Sequence, residues 1–177
     1  MLITDGIINK FDNEELKAQI KRLAHYGAYC ELELSNQYLT SEMELDISGI
    51  HALLDFYKVF DGGHIFDVEI FKAMGSGMGL FELLLGDDDE DEKTCLTDAD
   101  DEDFREEHGL PENYLAFAKS ETGSYYCVDK EKETKSIYEW DEDEGEVIEV
   151  WDNIADWLRN IIDIAEIDIE DGFVKPR

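Results

Sequence analysis

The sequence of 177 residues has little of what marks a secreted, zinc-bound or multidomain protein. Its two prolines, Pro111 and Pro176, exclude a long proline-rich linker between domains. Its three cysteines, Cys30, Cys95 and Cys127, are widely spaced and form no Cys-x-x-Cys pair, which disfavours a disulfide framework and a zinc site. No apolar run approaches the roughly 18 residues of a membrane-spanning helix. The sequence therefore predicts one folded domain over residues 1–177.

Targeting signals and catalytic motifs are also missing. Residues 1–10 lack the basic start and apolar run of a secretory signal, so we predict a soluble, cytoplasmic protein. The glycine-rich segment Gly75–Gly79 matches neither the dinucleotide fingerprint nor the phosphate loop. The histidines have no metal-ligand spacing, and Cys127 has no obvious histidine partner. We predict no enzyme, no cofactor and no metal site, although a hidden glycosidase-like carboxylate pair stays open as an alternative.

Basic residues are scarce relative to acidic ones. The chain has 46 Asp and Glu against 15 Lys and Arg, a net charge of −31. Residues 81–110 are the densest stretch, with 14 acidic and 2 basic residues, a net of −12. Such a surface is repelled by nucleic acid and by anionic membrane, and it attracts basic partners. We therefore expect a basic protein partner, while a role of the charge in solubility alone, or in a salty habitat, stays open.

The acidic run Asp87–Glu92 resembles part of a calcium-binding loop but departs from it. With Asp87 in the first position of an EF-hand loop, the position that requires glycine is Glu92. The final ligand would be Asp98, where the loop requires glutamate. The run therefore favours diffuse cation binding over a specific calcium site.

Helices and strands alternate in the first half of the chain. Asp12–Glu15 reads as a capping box for a helix that carries Leu16 and Ile20 on one face and stops near Gly27. Alternation predicts a short strand over Cys30–Leu34. A second helix bears Ile50, Leu53, Leu54 and Tyr57 and ends near Gly62-Gly63, and His64–Phe71 is compatible with a strand.

The second half of the chain predicts an antiparallel meander followed by a helix. Four short segments rich in aromatic and β-branched residues are separated by polar turns, which are too short for parallel crossovers. Ile154, Trp157, Leu158, Ile161 and Ile162 then recur at helical spacing, with Asp152 or Asn153 as the N-cap. The fold class is therefore α+β, with amphipathic helices at both ends of a sheet. The four strand segments are Leu115–Ala118, Ser124–Asp129, Ser136–Trp140 and Glu146–Val150.

Several short motifs follow one another in a fixed order along the chain. The upstream ones are Phe56-Tyr57, Gly62-Gly63 as a turn, and Ile70-Phe71. The downstream ones are Leu110–Tyr114, Phe117-Ala118, Gly123, Tyr126–Asp129, Trp140 and Trp157-Leu158. Their order resembles the SUKH superfamily, which includes bacterial immunity proteins and fungal regulators of cell-wall synthesis. One departure is that Gly49–Ala52 stands where the family often has Leu-Pro-x-x-Tyr.

The resemblance implies a SUKH-like domain with an acidic insert or loop around residues 86–109. It further implies a non-catalytic immunity protein that neutralises a basic, nucleic-acid-targeting toxin domain. The alternative is a regulatory scaffold that binds host proteins, as in the fungal relatives. Neither function involves nucleic acid or membrane as a direct partner.

We predict that the partner contacts acidic and aromatic side chains together. Because Tyr125 and Val128 face opposite sides of one strand, we expect one of them to be in the core and the other to be exposed or in an interface. Most other motif residues are better explained as determinants of the fold. The predicted contact residues are Asp87, Asp88, Asp89, Glu90, Asp91 and Glu92, the turn Asp141, Glu142, Asp143 and Glu144, and the anchors Tyr125, Tyr126, Tyr138 and Trp140.

Overall fold

A computed structural model describes residues 3–35, 52–72, 96–99, 102–173 and 176. The glycine-rich segment Gly75–Gly79, the acidic run Asp87–Glu92 and the departure at 49–51 lie outside these ranges, so the predictions made for them remain predictions.

A single antiparallel sheet organises the described residues. Its seven strands lie side by side in the order in which they follow one another along the chain, so every strand pairs with its sequence neighbours. Each pair is antiparallel, which the short turns between β2 and β3 and from β4 to β7 require. The α+β meander is confirmed. The strands are β1 (Cys30–Leu34), β2 (Phe60–Ile65), β3 (Val68–Ile70), β4 (Tyr114–Ser120), β5 (Tyr125–Asp129), β6 (Ile137–Asp141) and β7 (Glu146–Trp151).

Two longer helices lie at the ends of the chain. In the N-terminal one, Asn13 and not Asp12 is the N-cap, because its Oδ1 accepts the backbone N–H of Glu15 and of Leu16. The C-terminal one begins after Asn153, which caps it in the same way. The described helices are α1 (Asp5–Ile8), α2 (Glu14–Leu23), which continues as a 3-10 helix (Ala24–Tyr29), α3 (Leu54–Tyr57), α4 (Leu96–Ala99), α5 (Glu102–Glu107) and α6 (Ile154–Glu170).

The predicted Gly-Gly turn was wrong, because Gly62 and Gly63 lie inside β2. The turn comes three residues later, at Phe66-Asp67, so the segment predicted as one strand over 64–71 is the end of β2, a turn and β3. Both glycines have positive φ, 79° and 118°, and the neighbouring strands approach them closely. Glycine is needed here because no other residue fits both the backbone conformation and the space.

Hydrophobic side chains are buried on both faces of the sheet. On one face, the Trp157 ring of α6 contacts Phe117 at 5.2 Å and Tyr126 at 5.4 Å between ring centroids. On the other face, Phe104 of α5 contacts Tyr125 at 5.8 Å. Part of the acidic segment predicted as an insert or loop is therefore helical and covers the sheet.

Because helices cover both faces of the sheet, the predicted exposure of one side of β5 has to be corrected. Tyr125 and Val128 are each 1% exposed, although their side chains point to opposite faces. All five residues of β5 are buried. The expectation that one of the two would be exposed was wrong, because it assumed that only one face of the sheet is covered.

Asp129, at the end of β5, is a buried carboxylate that is held by several donors. Its Oδ2 lies 2.7 Å from the Lys132 ammonium, and its Oδ1 accepts the Glu131 backbone N–H at 3.0 Å. Burial raises the pKa of Asp129, but hydrogen bonds from Lys132, Asn113 and Glu131 outweigh it and leave the pKa below its usual value.

We expect Asp129→Asn to lower the free energy of unfolding at pH 7 by about 1–2 kcal/mol, because the amide loses the charge-assisted bond. A lowered pKa in the folded state stabilises it above the pKa of the unfolded chain, about 3.9, and this stabilisation is lost as the pH falls through the folded-state pKa. The two proteins should therefore converge in urea unfolding at acid pH. An equal difference at both pH values would contradict this role of the charge.

Candidate protein-binding surface

Three of the four predicted aromatic anchors belong to the core. Tyr125, Tyr126 and Trp140 are 1%, 5% and 7% exposed, so they offer little area to a partner. Tyr138 is partly exposed and stacks on Tyr114 with ring centroids 5.3 Å apart and planes at 22°. We therefore assign the first three to packing and leave Tyr138 as a candidate contact.

The predicted turn Asp141–Glu144 joins β6 to β7 and presents its carboxylates outward. Glu142, Asp143 and Glu144 are exposed and Asp141 is half-buried. The Asp141 side chain accepts the backbone N–H of Glu144 at 2.9 Å, and its backbone carbonyl accepts the N–H of Gly145 at 2.9 Å. Gly145 closes the turn with φ of +66°. The turn is thus a defined structure that displays clustered negative charge.

The strands on either side of the turn add carboxylates that the sequence prediction missed. Glu139 lies directly opposite Glu149, and Asp141 lies directly opposite Glu146. Like charges in directly opposed positions destabilise an antiparallel pair. Residues 139–149 contain seven acidic residues and no basic residue. We call this set the acidic hairpin: Glu139, Asp141, Glu142, Asp143, Glu144, Glu146 and Glu149.

The carboxylates of the acidic hairpin are poorly compensated within the part of the chain that the structure describes. No lysine or arginine there forms an ion pair with any of the seven. The His108 Nδ1 lies 2.9 Å from the Glu142 carboxylate, which ties the end of α5 to the turn. The His108 ring also packs against Phe104 and Tyr125, with centroids 4.5 and 4.9 Å away.

This contact places a second acidic element beside the hairpin. The described carboxylates of α5 at Glu102, Asp103, Glu106 and Glu107 are all exposed. Because His108 follows α5 directly and its ring contacts Glu142, the helix adjoins the turn of the acidic hairpin. Glu139 and Glu149 lie on the other face of the sheet, since Glu139 pairs with Tyr126, whose ring contacts Trp157 of α6.

Glu139 shows the energetic consequence of this crowding. Burial raises the pKa of Glu139, and the negative charges of Glu149 and Asp141 raise it further, against a lowering by the hydrogen bond from Ser124. The folded protein therefore disfavours the charged form of this side chain. A cation placed beside it by a partner would relieve the repulsion.

We expect Glu139→Gln to stabilise the free protein at pH 7 by about 0.5 kcal/mol, a rise in melting temperature of about 2 °C, because it removes one like-charge pair. A raised folded-state pKa lowers stability as the pH rises through the unfolded and then the folded value. The gain should therefore disappear near pH 3, where both proteins are neutral at this position. Thermal melts at the two pH values check this, and a loss of stability at pH 7 would contradict it.

Three further observations on the described residues concern a catalytic cysteine, a metal site and a membrane-spanning helix. Cys127 is fully buried, and burial raises the pKa of its thiol well above the usual value, so it does not supply a thiolate nucleophile. No group of three or more metal-ligating side chains comes together in the described ranges. None of the described helices has the length and hydropathy to cross a membrane.

Comparison with known proteins gives one family match. The family model of the SMI1 / KNR4 family (SUKH-1) matches residues 41–160, which is more than half of the chain and includes β2 to β7 with the acidic hairpin. No curated protein and no solved structure shows a significant match. The chain therefore belongs to the SMI1 / KNR4 family (SUKH-1).

Proposed function

We propose that the protein is a non-catalytic immunity protein that binds and neutralises a basic toxin domain which acts on nucleic acid. The family includes immunity proteins that work by binding a protein partner, and this supports a binding role over a catalytic one. A cytoplasmic location follows from the proposal, since the toxin has to be neutralised where nucleic acid is present.

The observation that carries the proposal is the two pairs of opposed like charges in the acidic hairpin. A sheet gains nothing from Glu139 opposite Glu149 or from Asp141 opposite Glu146. Solubility alone requires only exposed charge anywhere on the surface, and does not require charges that face each other in the register of two strands. Such an arrangement is useful when a basic partner neutralises it.

A toxin that acts on nucleic acid provides the matching chemistry. Its substrate-binding surface carries lysine and arginine spaced to contact phosphates. Carboxylates held on a rigid hairpin can form ion pairs with the same lysine and arginine side chains, and so prevent the nucleic acid from binding. The net charge of −31 would also accelerate the encounter between the two proteins.

The proposed contact surface consists of the acidic hairpin, the exposed carboxylates of α5 and Tyr138. We also propose the run Asp87–Glu92 as a contact, because it precedes α4 and α5 in the densest acidic stretch. Tyr125, Tyr126 and Trp140 support this surface from beneath and do not contact the partner.

Capture of the partner from the native host tests the proposal. The tagged protein should retain a basic protein at 50 mM salt and release it at 500 mM, because high salt screens the steering charges. Mass spectrometry should identify a nuclease-like or other nucleic-acid-modifying domain. Capture of several host proteins that are neither basic nor toxic would instead indicate the regulatory scaffold.

A further inference from the structure

The outer edge of the sheet at β7 is open in the described residues. Strand β7 pairs with β6 on one side, and no described strand pairs with it on the other. Its backbone N–H and C=O groups on that side can therefore receive a further strand. The other edge strand, β1, lies at the far end of the seven-strand sheet.

Strand β7 also presents large apolar side chains to solvent. Ile148 is 50% exposed and Val150 is 52% exposed. Between Glu139 and Trp140 of β6 the register shifts, so Ile148 is an extra residue on β7 with no direct partner. A bulge of this kind, located at the edge of a sheet, changes the direction in which the side chains point. Val150 lies opposite Tyr138, whose stacked ring extends the apolar strip to Tyr114.

Acidic side chains interrupt this apolar edge. Glu146 and Glu149 are exposed on β7, and the turn carboxylates lie at the start of the strand. A second copy of the chain paired along β7 would bring these glutamates against their equivalents, which is repulsive. A strand that alternates lysine or arginine with apolar residues would instead match both the charges and the apolar side chains.

We propose that β7 is a docking strand that adds an extended segment of the partner to the sheet, the segment alternating basic and apolar residues. This rests on the proposed function and specifies its binding mode. Backbone hydrogen bonds to β7 supply affinity, and the alternation of Glu149 with Ile148 and Val150 selects the sequence.

A synthetic probe tests the docking strand without the natural partner. The probe is a blocked hexapeptide that alternates lysine and valine, and its matched control is the same peptide with every backbone nitrogen methylated, so that neither edge of the extended peptide can donate. The control keeps the charges and side chains but lacks the donors that strand pairing needs. The parent peptide should bind about tenfold or more tightly than the control, because two or three backbone hydrogen bonds are lost.

The location is checked by amide hydrogen exchange and by substitution. The parent peptide should slow the hydrogen exchange of the backbone amides in Glu146–Trp151. Glu149→Lys should weaken peptide binding about tenfold, because the introduced lysine repels the lysines of the peptide. Glu170→Lys, on the exposed end of α6, should leave peptide binding unchanged. Equal binding of the two peptides would overturn strand pairing, as would protection outside β7. Concentration-dependent dimerisation through β7 would make a second copy the occupant and would also overturn it.

Two outcomes separate this inference from the proposed function. If the peptide does not pair with β7 but substitutions in the acidic hairpin still weaken a captured toxin, the docking strand is wrong and the immunity function stands. If the peptide pairs with β7 but the native host yields no basic toxin, the docking strand stands and the immunity function is wrong.

Discussion

Substitution of Gly63 by alanine is expected to destabilise the protein by about 3–5 kcal/mol or to prevent folding. Gly63 lies in β2 with φ of +118°, where a side chain strains the backbone. An added Cβ would also overlap the backbone carbonyl oxygen of Glu31 and come within 2.9 Å of the Leu32 Cα. These atoms belong to the paired strand β1, so they cannot move without breaking the pairing of the two strands.

Gly145→Ala is the matched control for this prediction. Gly145 also has positive φ, +66°, but an added Cβ would meet nothing within 4 Å. Gly145→Ala should therefore lower the free energy of unfolding by only about 1 kcal/mol, the cost of placing alanine in a left-handed backbone conformation. Urea unfolding of both variants measures the difference. Equal losses would show that the close approach of β1 to Gly63 does not matter.

Most helices and strands could be predicted because their sequence patterns involve residues that are close together along the chain. Segments rich in aromatic and β-branched residues, separated by polar turns, predicted the four strands from β4 to β7, and helical spacing predicted α6 with Asn153 as a possible cap. The Gly-Gly pair could not be placed in this way. Glycine pairs are typical of turns, and only the approach of β1 and β3 to β2 explains why these two stand inside a strand.

The candidate site was predictable only in part. The exposed turn Asp141–Glu144 follows from its composition, since four acidic residues before a glycine cannot be buried. Burial of Tyr125 and Trp140 could not be foreseen, because an isolated strand does not reveal that helices cover both faces of the sheet. The opposition of Glu139 and Glu149 depends on the register beyond the turn, which a bulge shifts by one residue.

Neutralisation of the turn should weaken partner binding roughly tenfold to a thousandfold. The variant replaces Asp141 and Asp143 with Asn, and Glu142 and Glu144 with Gln, which changes the net charge from −31 to −27. The amide introduced by Asp141→Asn keeps an oxygen acceptor for the backbone N–H of residue 144, so the turn should persist. The dissociation constant for the captured partner measures the effect, with circular dichroism as the check on folding.

A control variant separates this local effect from that of overall charge. Asp163 and Glu166 are unsuitable for it, because their carboxylates bind Arg22 at 2.7 and 3.0 Å and join α2 to α6. We choose four exposed carboxylates at the start of α2 and the end of α6. They are Asp12, Glu15, Glu170 and Asp171.

Replacing these four with the corresponding amides removes the same charge far from the turn. Both groups lie beside β2, because Phe11, next to Asp12, contacts Phe60 of β2, and Glu166 near the end of α6 accepts a hydrogen bond from Tyr26, whose ring contacts Phe66 directly after β2. Four strand spacings of about 4.8 Å, roughly 19 Å in all, separate β2 from β6, which exceeds the Debye length of about 10 Å at 0.1 M salt. Affinity should change about twofold or less. Equal weakening by the two variants would show that only the total charge matters.

Titration of the captured toxin with the protein tests the central claim most directly. A non-catalytic inhibitor that occupies the toxin's cationic surface should reduce the cleavage or modification of nucleic acid in proportion to the amount added. Activity should reach zero near about one equivalent when the toxin concentration exceeds the dissociation constant. Full activity at a large excess, or inactivation by a small fraction of an equivalent, would contradict the account.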